Sequence, residues 1–163
     1  LVGLARAARG LPPAREAAMT AAMLRHYLAA PAALTRPYPG VTQALEALAA
    51  AGFRLGLCTN KALAPTEEIL GTLDLRRHFA VVIGGDSLTQ KKPDPAPLRA
   101  TFAPLGQPHL YIGDSEVDAA TAAAADVPFG LFARGYRKTP VADLPHRLAF
   151  DDFHQLPGLV AGL

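Results

Sequence analysis

The sequence predicts an α/β fold in which helices cover both faces of a doubly wound parallel sheet. From residue 41 onward, short apolar segments alternate with helical ones, which is the pattern of parallel strands joined by crossover helices. The apolar segments are almost uninterrupted, as is typical of strands that are buried on both faces. With 163 residues, 50% of them hydrophobic, the chain is long enough for one domain and a small addition.

The first part of the chain, residues 1–37, is predicted to be helical and irregular. Met19, Met23 and Tyr27 recur every four positions, which is the spacing of an amphipathic helix. We expect this stripe to pack against a neighbouring helix, with the lining of a substrate pocket as the alternative. Three prolines and a glycine lie within residues 29–40 and predict a linker. The chain is therefore divided into a helical part over 1–37 and an α/β core over 38–163.

Strands and helices are predicted to alternate through the second part of the chain. Strands are expected at 53–58, 79–85, 110–113 and 129–134, and helices at 41–51, 65–73, 116–125 and 152–161, with one more starting at 94. In open α/β sheets, ligands bind beyond the carboxyl ends of the strands. Polar residues stand at these ends, so we expect the chemistry at this edge of the sheet.

Two of the polar clusters could bind an anion. Thr59-Asn60 follows the first strand, where a hydroxyl and exposed backbone N–H groups can cradle a phosphate. An ordinary helix N-cap is the alternative for this pair. Lys91 and Lys92 lie in "QKKPDP", and a rigidly held lysine can neutralise phosphate charge. The alternative there is a solvated loop followed by a helix start.

The third cluster lies in "LYIGDSEVDAATAAAAD", residues 110–126. Asp114 is expected at the tip of the strand and Asp118 in the first turn of the next helix, with Gly113 permitting close approach of the backbone. Hard oxygen ligands in this arrangement suit Mg²⁺, which proteins hold through one or two carboxylates. Acidic residues also favour helix N-termini through the helix dipole, which is the alternative. Because two carboxylates accompany two anion-binding clusters, we favour the metal.

Composition excludes several other classes of function. The net charge of +2, without a basic stripe, gives no indication of nucleic-acid binding. No uninterrupted apolar stretch reaches the length of a membrane helix. The single cysteine fits a reducing compartment, so a cytoplasmic location is expected. Neither a P-loop nor a dinucleotide-binding glycine motif occurs, and nothing indicates an oligomeric state.

Three segments together resemble motifs of the haloacid dehalogenase superfamily. These are "LCTNK", "GGDSLTQKKPDPAPL" and "YIGDSEVDAATAAAAD", in this order and at this spacing. Within the superfamily the chain is most similar to the phosphoglycolate phosphatase family, including "YPGV" and the later "GY". The resemblance implies a Rossmann-like core over about 38–140, with residues 1–37 as part of an α-helical cap.

The resemblance also implies a Mg²⁺-dependent phosphatase that acts on a small phosphorylated metabolite, most simply 2-phosphoglycolate. Thr59 and the Asn60 backbone would bind the transferring phosphoryl group, and Lys92 would offset charge on nucleophile and phosphate. Thr59 and Lys92 are thus the predicted catalytic residues. Asp114 would ligate Mg²⁺, with Asp118 as a further ligand or a partner of the ligand. In the family an aspartate attacks phosphorus, and water hydrolyses the resulting aspartyl-phosphate.

The sequence departs from the family at the nucleophile motif. No Asp-x-Asp occurs anywhere in residues 1–163. In the family this motif lies on the first strand, which is central in the sheet. We therefore expect this chain to be a piece of a longer protein. The piece would lack this strand and would be inactive by itself.

Other functions remain open at this point. A sugar-phosphate phosphatase or a phosphomutase would share the fold and the motifs. A haloacid dehalogenase needs no metal, and the "GDSEVD" sequence argues against it. A binding domain without catalytic activity would explain the absent Asp-x-Asp.

Overall fold

The computed structural model describes residues 2–30 and 32–163, which divide into two compact units, 1–35 and 36–163. The helices are α1 Val2–Ala8, α2 Glu16–Ala29, α3 Val41–Ala50, α4 Leu63–Thr72, α5 Ala96–Phe102, α6 Glu116–Ala125 and α7 Leu156–Ala161. The strands are β1 Leu55–Cys58, β2 Phe79–Ile83, β3 Tyr111–Gly113, β4 Phe129–Phe132 and β5 Leu148–Phe150. None of the described helices is both long and apolar enough to cross a membrane.

The first unit is a pair of helices, α1 and α2. The Arg6 guanidinium joins them, because it forms an ion pair with Glu16 at 3.0 Å and donates to the Leu11 carbonyl at 2.6 Å. The predicted amphipathic helix is present as α2, but Met23 in its apolar stripe is 38% exposed. That this unit is part of a cap stays a prediction.

The second unit contains two parallel sheets. In one sheet β1 pairs with β2, and Cys58 lies opposite Ile83. In the other sheet the order is β3-β4-β5, and Leu131 of β4 lies opposite Gly113 of β3. Within each sheet all strands therefore run in the same direction, which requires crossover connections.

Helices pack against both faces of the three-stranded sheet. Leu131 is fully buried in a cluster with side chains of α5 and α6. Its neighbour Phe132 belongs to a second cluster with side chains of α3 and α7. Because successive side chains of a strand point to opposite faces, these two residues place one helical layer on each side. The predicted α/β class with a doubly wound parallel sheet is confirmed.

The element order agrees with the sequence prediction, with three differences. Strand β5 was not predicted, since three residues are too short for a recognisable pattern. The helix expected at 152–161 begins with a 3₁₀ turn, Phe153–Gln155, and continues as α7. The helix expected from 94 begins at Ala96, whose N–H donates to the Asp94 carboxylate at 2.8 Å.

A cleft separates the two sheets. Within residues 2–30 and 32–163, strands β1 and β3 each pair on one side only, and a cavity of about 460 Å³ lies against both. Its lining includes Gly56, Leu57 and Cys58 of β1, and Tyr111, Ile112 and Gly113 of β3. The cleft therefore has an open strand edge on each side and an apolar interior.

Candidate active site

The carboxyl end of β1 continues into a tight turn. The Thr59 N–H donates to the Ile83 carbonyl at 2.9 Å, which extends the pairing with β2. The Thr59 hydroxyl accepts the Lys61 N–H at 3.1 Å. Helix α4 begins at Leu63, whose N–H donates to the Asp86 carboxylate at 2.7 Å. Thr59-Asn60 is therefore not the N-cap of α4, because Ala62 occupies that position and Asp86, from the loop after β2, accepts the first helical N–H.

Asn60 has two separate functions in this turn. Its backbone N–H has no hydrogen-bond acceptor among the described residues, so it is available to a ligand. Its side-chain amide donates to the Lys92 carbonyl and accepts the Lys92 N–H, both at 3.0 Å. These two hydrogen bonds hold the backbone at Lys92 against the end of β1. Nothing in the sequence indicated this contact.

The Lys92 ammonium lies between the two sheets. It donates to the Cys58 carbonyl of β1 at 3.2 Å, to the Tyr111 hydroxyl of β3 at 3.0 Å and to Asp118 Oδ1 at 2.7 Å. All three of its protons thus have acceptors, and the side chain is only 11% exposed. Lys91 is exposed, so the structure distinguishes clearly between the two lysines.

Asp118 accepts hydrogen bonds at both carboxylate oxygens. Oδ1 accepts from Lys92 and Tyr111, while Oδ2 accepts the Ser115 hydroxyl at 2.6 Å and the Asp114 N–H at 3.1 Å. Burial by itself raises the pKa of Asp118, but the ion pair with Lys92 and these hydrogen bonds outweigh it and lower the pKa below its usual value. Asp118 is therefore an ionised, buried centre of the site.

Asp114 is held differently, at the tip of β3. Its Oδ2 accepts the Tyr136 N–H at 2.8 Å, whereas Oδ1 has no partner among the described residues. A Cβ on Gly135 would lie 2.1 Å from the Asp114 Cβ, so only glycine permits this approach of the loop. Asp114 thus combines one fixed oxygen with one that is available.

Glu116 opens helix α6 and binds the same loop as Asp114. Its Oε1 accepts the N–H groups of Lys138 and Thr139, each at 2.6 Å. The hydrogen bond from the Thr139 backbone is the main reason that the pKa of Glu116 is lowered to about 2. The role of Glu116 has no local sequence signal, because its partners lie more than twenty residues away.

Tyr111 is a further site residue that the sequence analysis missed. Its hydroxyl donates to Asp118 Oδ1 at 2.7 Å and accepts from Lys92. Burial, then the Asp118 charge, raise the pKa of Tyr111, so the hydroxyl stays protonated. A buried tyrosine needs a polar partner, and this was the available signal in a strand expected to lie beside the site.

The donor set can be compared with the needs of a divalent metal. The described residues contain no group of three or more His, Cys, Asp or Glu side chains placed to share an ion. Mg²⁺ nevertheless requires only one or two protein carboxylates, since water and phosphate oxygens complete its shell. The available Oδ1 of Asp114 fits such a role, whereas both oxygens of Asp118 are already engaged.

The structure brings most of the predicted site residues together. Lys92 contacts Asp118 directly, Asn60 holds Lys92, and Asp114 donates its N–H to Asp118. Thr59 lies next to Asn60 but makes no hydrogen bond to the others among the described contacts. The roles of these residues in catalysis and metal binding stay predictions.

The sequence profile of the haloacid dehalogenase-like hydrolases matches residues 5–132. The chain therefore belongs to this family, and the predicted family and class of enzyme, a hydrolase with an α/β core, are confirmed.

Three relatives are particularly similar. Phosphoglycolate phosphatase of Cereibacter sphaeroides is 51% identical over 160 residues, which cover 96% of this chain and 73% of the relative. The protein of the same name from Rhodospirillum rubrum is 46% identical over 165 residues, covering 96% and 68%. The crystal structure of a predicted phosphoglycolate phosphatase from Haemophilus somnus matches with a TM-score of 0.88 at 28% identity, covering 97% of this chain and 73% of that one.

Proposed function

We propose that the protein is a Mg²⁺-dependent phosphatase that hydrolyses a small phosphorylated metabolite, 2-phosphoglycolate, in the cytoplasm. The observation that carries this proposal is the position of the Lys92 ammonium, bonded to β1, to β3 and to Asp118 at once. A buried cation suits a transferring phosphoryl group when the same site also offers the Asn60 N–H and Asp114 Oδ1, neither of which has a partner among the described residues. No contact with nucleic acid or membrane is part of this function.

The end of β1 would bind the phosphoryl oxygens. The Asn60 N–H has no acceptor among the described residues, and the Thr59 hydroxyl keeps its proton to donate while its oxygen accepts from Lys61. Lys92 adds a fixed positive charge at the same edge. These groups stabilise negative charge without rearrangement, because their orientation is already set by protein hydrogen bonds.

The end of β3 would hold the metal. Asp114 Oδ1 is the direct ligand that we propose. Asp118 has both oxygens engaged, which favours a role in positioning Lys92 and Asp114 over direct ligation. When bound, Mg²⁺ would neutralise charge on the phosphate oxygens.

The nucleophile would be an aspartate on a strand seated in the cleft. Such a strand would pair with the open edges of both β1 and β3, and its carboxyl end would reach Lys92. The aspartate would attack phosphorus and release the alcohol, and water would then cleave the aspartyl-phosphate. Residues 1–163 contain no Asp-x-Asp, so this residue must come from outside them.

A screen of phosphate release by the natural protein tests the proposal. With 2-phosphoglycolate, sugar phosphates and β-glucose 1-phosphate as substrates, each with and without Mg²⁺, we expect the fastest release from 2-phosphoglycolate and only with the metal. Fastest turnover of a sugar phosphate would instead indicate a sugar-phosphate phosphatase. Isomerisation of β-glucose 1-phosphate would indicate a phosphomutase. Asp114→Asn should lower metal-dependent turnover by at least about 100-fold. Unchanged turnover would remove Asp114 from the metal site.

A non-catalytic binding domain is the second candidate, favoured by the absence of Asp-x-Asp from these residues. Sequencing the gene around the region that encodes this chain distinguishes the two candidates. An Asp-x-Asp on an apolar segment supports the enzyme, whereas a natural protein without one that still binds 2-phosphoglycolate supports the binding domain.

A further inference from the structure

The loop after β4 is attached to the start of α6 through backbone N–H groups. In this loop, residues 135–139, the Lys138 and Thr139 N–H groups donate to Glu116, and the Tyr136 N–H donates to Asp114. Two carboxylates, two positions apart on α6 and the turn before it, thus bind one short loop. The side chains of Tyr136, which is 87% exposed, and Lys138, which is also exposed, add little burial to this attachment, so the backbone hydrogen bonds matter most at these two positions.

The hydrogen bond to Asp114 depends on the position of this loop. The Tyr136 N–H is the partner that fixes Asp114 Oδ2, and only Arg137 separates Tyr136 from the Glu116-bound residues. A surface loop whose residues are exposed or only partly buried opens easily unless it is anchored. Glu116 supplies the anchor with two short hydrogen bonds to one oxygen, at 2.6 Å each.

We propose that Glu116 is a positioning residue that acts through the 135–139 loop to orient the Asp114 carboxylate for metal binding. This inference rests on the proposed function, in which Asp114 Oδ1 ligates Mg²⁺. A hydrogen bond to one oxygen of a ligating carboxylate fixes its orientation, and loss of such partners typically weakens metal binding by about 10–100-fold. Glu116 is one step further away, since it fixes the donor of that hydrogen bond.

A different explanation gives Glu116 only an electrostatic effect. A negative charge close to the site would attract the metal through space, without any contribution from the loop. The two explanations separate with Glu116→Gln, because the amide oxygen can still accept both N–H groups while the charge is removed. Glu116→Ala removes charge and acceptor together.

The first measurement is Mn²⁺ binding to the natural protein without substrate, followed by loss of the free-ion EPR signal. Glu116→Ala should bind Mn²⁺ about 10-fold more weakly, and Glu116→Gln should stay close to the unmodified protein. Glu46→Ala is the matched control, since Glu46 is an exposed carboxylate whose side chain, among the described residues, forms one ion pair, with Arg77 at 3.3 Å. Unchanged binding in Glu116→Ala, or equal weakening in Glu116→Gln, overturns the proposal.

The second measurement is amide hydrogen exchange by NMR in the metal-free protein. Glu116→Ala should accelerate exchange at Tyr136 as well as at Lys138 and Thr139, although Tyr136 is not bonded to Glu116. Acceleration confined to Lys138 and Thr139 overturns the coupling to Asp114. If the alanine variant does not fold, Glu116→Ser, also too short to reach the loop, takes its place.

Asp114→Asn distinguishes this inference from the proposed function. If Asp114→Asn abolishes Mn²⁺ binding and Glu116→Ala leaves it unchanged, Asp114 is the ligand and the role of Glu116 is refuted. If Asp114→Asn also leaves binding unchanged, the metal site itself is wrong and both proposals fail.

Discussion

The ends of β1 and β3 face the same cleft but are prepared for opposite charges. At β1, the Asn60 N–H has no acceptor in the part of the chain that the structure describes, so the backbone presents a donor. At β3, Asp118 accepts four hydrogen bonds from Lys92, Tyr111, Ser115 and Asp114. The end of β1 can accept an anion. At the end of β3 the carboxylate oxygens of Asp118 already have hydrogen-bond donors, and Asp114 Oδ1 is the oxygen without one among the described residues. The difference indicates that the acidic side is fixed before any ligand arrives.

Lys92 belongs to both ends, and its substitution should have the largest effect. Lys92→Ala leaves the Asp118 carboxylate buried without its counter-ion, which we expect to destabilise the fold by about 3–5 kcal/mol. We also expect phosphate release by the natural protein to fall by at least about 100-fold, because a charge facing the phosphoryl group is lost. Urea unfolding and kcat/KM measure the two effects.

Two further variants separate stability from catalysis at Lys92. Lys91→Ala should change stability by less than about 0.5 kcal/mol, since Lys91 is exposed. Combining Lys92→Ala with Asp118→Asn removes both charges and should recover part of the stability but none of the turnover. Equal effects of Lys91→Ala and Lys92→Ala would mean that the site does not depend on the bridge between the sheets.

The fold was largely predictable because its signals are local. The apolar runs that became β1 to β4 are bounded by glycine or polar residues, and the helices between them show their own spacing. Strand β5 escaped because its three residues are recognisable only by pairing with β4. The split of the sheet into two parts was expected only from the family resemblance.

The site was predictable only in part, for a related reason. Asp114, Asp118 and Lys92 stand out because charged residues at strand ends are conspicuous in a sequence. Tyr111 lies inside an apolar run, and its role depends on Lys92, nineteen positions away in the chain. Glu116 likewise acts on a loop twenty-two and twenty-three positions away. Contacts over such distances follow from the fold and leave no local pattern.

Removal of the Tyr111 hydroxyl tests how much the uncharged tyrosine contributes to the stability of the hydrogen-bond network around Asp118. Tyr111→Phe deletes the donor to Asp118 and an acceptor of Lys92, but the ion pair itself remains. We expect a loss of about 1–3 kcal/mol in unfolding free energy, measured in urea. Tyr136→Phe is the control for stability, because its side chain is 87% exposed and should cost almost nothing. An unchanged unfolding free energy in Tyr111→Phe would show that the ion pair between Lys92 and Asp118 maintains the network without the tyrosine.

The smallest expected effect is the contribution of Asp118 to the pH dependence of the unfolding free energy. It is also the most direct measure of the hydrogen-bond network at the end of β3. The pKa of Asp118 is lowered in the folded protein, while an aspartate in the unfolded chain titrates near about 3.9. As the pH falls below this value, the unfolded chain binds a proton before the folded protein does. The stability that Asp118 contributes is therefore complete above the unfolded pKa and is lost as the pH falls towards the lowered pKa of the folded protein. Urea unfolding between pH 6 and pH 3 should therefore show the unmodified protein losing its advantage over Asp118→Asn as the pH decreases. A constant difference across this range would mean that Asp118 is not held ionised by Lys92, and the contrast between the two strand ends would not stand.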